Sequence, residues 1–152
     1  RLFAHEIFVF PSGIGLSALN SQLSTSPPPL TLDRLTTIAA DLVTATQRSL
    51  PVTLRPLAVA VPVHYAALPD DDVLADGFPD DILGLFSGAA HGTEFSDDLP
   101  APPQIFLYLE NLWDYAEGDE KIFREETRLT YLHELGHYFG WDEDELTARG
   151  LD

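Results

Sequence analysis

A chain of 152 residues with 45% hydrophobic content is long enough for one domain with a substantial core, in the size range where roughly 68 to 70% of the unfolded surface is hidden. Its formal net charge of −17, with only 8 Lys and Arg, argues against nucleic acid as a partner, because binding phosphates requires cations to neutralise them. Cysteine is absent, which excludes disulfides and thiolate metal sites, and no apolar run approaches the roughly 20 residues of a membrane span.

Residues 1–30 read as an N-terminal extension or linker: Leu2 to Phe10 suits a strand, while Ser21 to Pro29 is polar and ends in prolines. The longest apolar run there, Ile7 to Phe10, lies behind His5 and Glu6 and does not form a signal peptide, so a cytoplasmic location is expected. A single domain is expected over residues 31–152. Leu32, Leu35, Ile38, Ala39, Leu42 and Val43 recur at helical spacing and place a first helix from Thr31 or Thr36 to Leu50-Pro51. Leu57 to Val63 reads as a strand, with Pro62 marking an end or an edge. The acidic, turn-rich segment Pro69 to Pro79 reads as a loop, and Ile82 to Ser87 as a short strand with Gly84 inside it. From Gln104 to Glu110, Ile105, Leu107 and Leu109 alternate with Phe106, Tyr108 and Glu110, the clearest strand pattern in the chain. Asn111 to Glu117 turns helical before Gly118. His64 and His91 stand alone and are read as structural or surface residues.

From Asp119 the chain reads DEKIFREETRLTYLHELGHYFG, with no proline, no glycine before Gly136, and Gly140 placed to stop it. One helix over Glu120 to Phe139 is expected. On a helical wheel Ile122, Leu129, Leu132, Leu135, Gly136 and Phe139 form an apolar stripe with His133 and His137 at its margin. Arg124, Thr127, Tyr131 and Tyr138 fall on the wetter side. Gly136 would let a neighbouring element pack close to the histidines.

His133-Glu134-Leu135-Gly136-His137 is an H-E-x-x-H arrangement. Two histidines four apart on a helix point the same way and can bind one zinc at about 2.0 to 2.1 Å. Glu134, about 100° around from His133, can hold a water on the metal but is badly placed to be the third ligand. Catalytic zinc normally has three protein ligands, and only Tyr138 to Asp152 follow in the given sequence. With no methionine a Met-turn is excluded, and Gly140 can turn the chain back under the site. Glu143 is then the first candidate, with Asp144 and Asp142 behind it. Asp142 and Glu145 also have capping-box spacing for a short helix through Ala148, and both readings can hold together.

The segment LTYLHELGHYFGWDEDELTARGLD resembles the C-terminus of the small bacterial zincin-like metallopeptidases, the minimal zincins related to the Asp-zincins. DILGLFSG from Asp81 and the apolar run Gln104 to Leu109 are similar to that family as well, so the resemblance spans about Leu32 to the end. It implies an α+β, zincin-like fold: a small mixed, twisted sheet packed on an N-terminal helix and on the helix that carries the motif. It also implies His133 and His137 as Zn2+ ligands, Glu134 as the catalytic glutamate, and Glu143 in the place of the aspartate of H-E-x-x-H-x-x-G-x-x-D, longer by one methylene. The implied activity is zinc-assisted hydrolysis of a peptide or protein substrate, with Glu134 accepting the water's proton and passing it to the leaving amine. The substrate would lie along an edge strand mapped to Leu83 to Ser87, and Tyr138 or Tyr131 would be candidate donors to the oxyanion. Minimal zincins lack the C-terminal subdomain that closes the cleft. A metal-binding module that presents its groove to a peptide or protein partner, with little or no proteolysis, is therefore the alternative, and a metal-dependent hydrolase of other substrates a further one. The acidic charge is read first as solubility and second as a preference for basic substrate segments.

Overall fold

A computed structural model of the chain describes residues 30–93 and 101–150. The expected strand Leu2 to Phe10 and the linker Ser21 to Pro29 lie outside the described residues. Thr31 is the N-cap of α1 (Leu32–Ser49), its hydroxyl accepting the Arg34 N–H, and Leu35, Ile38, Ala39 and Val43 form the buried face. A short α2 (Arg55–Ala60) follows, then β1 (Val63–Ala66), α3 (Asp71–Ala75), β2 (Gly84–Ser87) and β3 (Gln104–Tyr108). Three helices complete the described chain: α4 (Leu109–Tyr115), α5 (Glu120–Tyr138) and α6 (Glu143–Ala148).

The strands form one mixed sheet in the order β1-β3-β2. β1 runs parallel to β3 with Val63 opposite Ile105, and β2 runs antiparallel to β3 with Leu85 opposite Phe106. The period-2 alternation of β3 sorts the two faces. Ile105 and Leu107 are fully buried in the main core with α1, α4 and α5, while Phe106 and Tyr108 turn to the opposite face. There a smaller cluster of Val73, Phe78, Ile82 and Leu85 covers the sheet. This is the α+β arrangement expected, with α5 packed across β2 and β3 and α1 packed on α5.

Three expectations require correction. Arg55–Ala60 is helical, and a strand begins only at Val63. Pro56 sits in the first turn, where its fixed φ and missing N–H suit a helix, and Pro62 stands just before the strand and gives its carbonyl to Ile105. The β-branched Val59 that suggested a strand is exposed on that helix. Within Pro69 to Pro79 the chain makes a turn of helix, α3, because the Asp70 carboxylate accepts the Val73 N–H. The third correction is the phase of α5. Its buried stripe runs through Phe123, Thr127, Tyr131 and Tyr138, whereas Ile122 is exposed and Leu129 and Leu132 are half-buried. Thr127 and Tyr131 carry enough apolar surface to join a core, and α5 is covered on more than one side, so a single apolar stripe does not describe it.

Candidate metal centre

The carboxylate of Asp119 accepts the N–H groups of Lys121 and Ile122 and starts α5. At the other end Gly140 takes a φ of 80°, the Trp141 N–H reaches the Gly136 carbonyl at 3.0 Å, and the Gly140 N–H reaches the His137 carbonyl at 2.9 Å. This pair of bonds is a Schellman closure, which reverses the chain directly after the second histidine. Asp142 then caps α6: its carboxylate accepts the Glu145 N–H at 2.9 Å and the Glu145 carboxylate accepts the Asp142 N–H at 3.2 Å. The capping box leaves Glu143, the first residue of α6, to turn back towards α5. Gly136 makes the approach of α6 possible, since a Cβ built there would lie 2.3 Å from Leu146 Cδ2 and 3.1 Å from Trp141 Cε3.

Three donor atoms converge at this junction. His133 Nε2 and His137 Nε2 are 3.0 Å apart, and Glu143 Oε1 lies 3.4 Å from the His137 nitrogen and 3.8 Å from the His133 nitrogen. Zinc bond lengths of about 2.0 to 2.2 Å put the ligands of a tetrahedral ion roughly 3.3 to 3.6 Å apart, and the three observed separations bracket that range. Both histidines are buried, and Glu143 Oε1 is buried with no hydrogen-bond partner. A buried carboxylate oxygen without a donor is costly unless a cation compensates it. These residues form the one group with metal-ligating geometry among the described residues. Asp142 is engaged in the cap, and Asp144 is exposed and outside the group.

Glu134 sits beside the histidines but faces the sheet. Its carboxylate is buried and takes a hydrogen bond from the Phe86 backbone N–H of β2. Burial pushes its pKa up to about 8, the Phe86 hydrogen bond opposes the rise, and the nearby Glu143 carboxylate adds to it. Gly84, two residues before Phe86, lies against it. The sequence flags Gly84 only as a glycine inside a strand, a common mark of close approach by another element.

The two candidate tyrosines part company. Tyr131 is fully buried and its hydroxyl receives the Gln47 side-chain N–H at 3.0 Å, on the α1 side of the helix and away from the junction. Tyr138 is buried at the end of α5, where its carbonyl accepts the His91 N–H at 2.7 Å and its hydroxyl is 3.4 Å from His91 Nδ1. His64 is exposed and stacks on Phe106 with ring centroids 4.9 Å apart. Neither His64 nor His91 joins the donor group. Among the described residues no helix is long and apolar enough to cross a membrane.

A search of curated proteins found no match to the chain. A family model described as zincin-like metallopeptidase matches residues 58–151, more than half of the chain, from α2 through α6 and so across all three strands and the motif helix.

Proposed function

The chain belongs to the zincin-like metallopeptidase family, and from that premise we propose that it is a zinc-dependent peptidase in which His133, His137 and Glu143 hold the metal and Glu134 is the general base. The observation that carries the reading is the buried Glu143 Oε1, which accepts no hydrogen bond and faces two imidazole nitrogens at 3.4 and 3.8 Å. Two imidazoles and a carboxylate suit zinc better than magnesium or calcium, which favour all-oxygen sites.

Bound zinc would supply Lewis acidity to a scissile carbonyl and lower the pKa of a water to about 7. Glu134 takes up the water's proton and delivers it to the leaving amine. Its burial beneath the sheet keeps it out of bulk solvent, and the Phe86 N–H holds one side of its carboxylate in place.

β2 is an edge of the sheet among the described residues. The Tyr108 N–H bonds to the Leu83 carbonyl, so by antiparallel alternation Leu83 and Leu85 address β3 while Gly84 and Phe86 turn their backbone groups to the open edge. A substrate peptide extended along that edge would run past Glu134. The Phe86 N–H is already engaged, which leaves its carbonyl and the Gly84 groups for pairing. Between Arg55 and Lys121, the span that carries all three strands, there is no Lys or Arg, and this field favours basic peptide segments.

The test is a mixture of unstructured peptides incubated with zinc-loaded protein and analysed by mass spectrometry. Cleavage that is removed by a chelator, restored by zinc and absent in Glu134→Gln is expected. Cleavage that persists in Glu134→Gln would refute the assignment of the base.

A further inference from the structure

Gly84 has no left-handed φ, so its backbone conformation is open to any residue and space is the only thing its missing side chain provides. A Cβ built there would stand 2.6 Å from Thr130 Cγ2 and 3.2 Å from both Cγ and Oε1 of Glu134. Thr130 is one helical turn before Glu134, is itself buried, and is β-branched, so its methyl cannot swing aside easily. Two residues along the same strand, the outward N–H of Phe86 donates to the Glu134 carboxylate, and Phe86 is buried. The glutamate is therefore bounded below by the helix that carries it and above by β2 at two points. One is a contact that only glycine leaves open, and the other is a hydrogen bond from the side of β2 that faces away from β3.

We propose that Gly84 and the Phe86 amide are positioning elements for Glu134: the edge strand, and not the motif helix alone, sets where the carboxylate of the general base lies. This rests on the reading of Glu134 as the base. In consequence, one strand performs two tasks, fixing the base with the Phe86 N–H and offering its remaining outward groups to substrate. A side chain at position 84 would lower turnover without touching a metal ligand.

Two arms test it. In the first, zinc affinity, thermal stability, kcat and KM are measured for Gly84→Ala and for Gly84→Ala combined with Thr130→Ser, which deletes the methyl at 2.6 Å but leaves the two contacts with Glu134. Gly84→Ala should keep zinc and lose stability, with kcat falling roughly ten- to a hundredfold, the penalty of misplacing a reacting group by a fraction of an ångström to one ångström, and KM little changed. The double variant should regain stability but not kcat. Recovery of kcat together with stability would overturn the proposal, because Gly84 would then act through packing alone. The second arm needs neither metal nor activity. In metal-free protein the Phe86 amide proton, followed by NMR, should be shifted downfield and protected from exchange, and Glu134→Ala should abolish both while the Tyr108 amide stays protected. A Phe86 amide indifferent to Glu134→Ala would overturn the proposal. If wild-type zinc protein cleaves no peptide, the peptidase reading fails by itself, and the amide measurement still decides whether β2 positions Glu134.

Discussion

Gly136→Ala is the most informative single change, because it acts on Glu143, the proposed third ligand, without altering any of the three proposed ligands. The new methyl would lie 2.3 Å from Leu146 Cδ2 and 3.1 Å from Trp141 Cε3. Leu146 is fully buried, so it cannot move outwards into solvent, and α6 must shift instead. Overpacking of this kind costs about 1 to 3 kcal/mol. Replacing glycine by alanine inside a helix returns about 1 kcal/mol, leaving a net loss of about 0 to 2 kcal/mol in metal-free stability. Zinc affinity should suffer more, since α6 carries Glu143 at its first residue. A displaced ligand should cost roughly ten- to a hundredfold, comparable with losing an outer-shell partner. Competition with a chelator gives the affinity and urea unfolding of the metal-free protein gives the stability. Adding Leu146→Ala makes room for the methyl, so the double variant should bind zinc better than the sum of the two single effects. Affinity unchanged in Gly136→Ala alongside a clear stability loss would refute the argument that α6 docking sets the third ligand.

Glu143→Ala should weaken zinc binding by roughly ten- to a hundredfold or more, whereas Asp142→Ala should cost about 0.5 to 2 kcal/mol of stability as a lost cap and Asp144→Ala should do neither. Zinc titrations and denaturant unfolding of the three variants separate these outcomes, and a zinc loss confined to Asp142→Ala or Asp144→Ala would move the ligand assignment. Tyr131→Phe should destabilise the fold by about 0.5 to 1.5 kcal/mol with zinc affinity intact, because its hydroxyl serves Gln47 and not the junction; a neutral effect in urea unfolding would argue for a solvated tyrosine. Burial pushes Tyr65 and Tyr108 up to about 12, with Tyr131 adding to the first and Asp70 then Glu134 to the second. Because their folded pKa values exceed the ordinary 10.0, the folded protein holds more protons between pH 10 and about 12, and stability should fall as pH rises through that window. An absorbance titration in which both ionise near pH 10 while the protein is still folded would contradict this.

Local signals are legible in this chain because their physics is local. Thr31, Asp119 and Asp142 each announce a helix start through a side chain that accepts a nearby N–H, and Gly140 announces the reversal that ends α5. The spacing from His137 to Glu143 is readable for the same reason. That Glu143, and not Asp144, reaches the imidazoles depends on α6 docking on Gly136 through Leu146, and this is a tertiary contact. The rotation of α5 is misjudged from its aliphatic residues because Thr127, Tyr131 and Tyr138 bury polar-tipped side chains against elements far away in sequence. The strand expected over Leu57 to Val63 fails on a proline that suits a helix start and a valine that stays in solvent. Gly84 is visible as an oddity in a strand, but the carboxylate it accommodates lies fifty residues downstream and only the fold brings the two together.

Metal content and peptide cleavage, measured on the same zinc-reconstituted preparations of wild type and Glu134→Gln, test the central claim most directly. The wild type should hold stoichiometric zinc and cleave, and Glu134→Gln should hold the same zinc and not cleave. No stoichiometric zinc in the wild type, or a site emptied by Glu134→Gln, would contradict the assignment of His133, His137 and Glu143 as the ligands and Glu134 as the base.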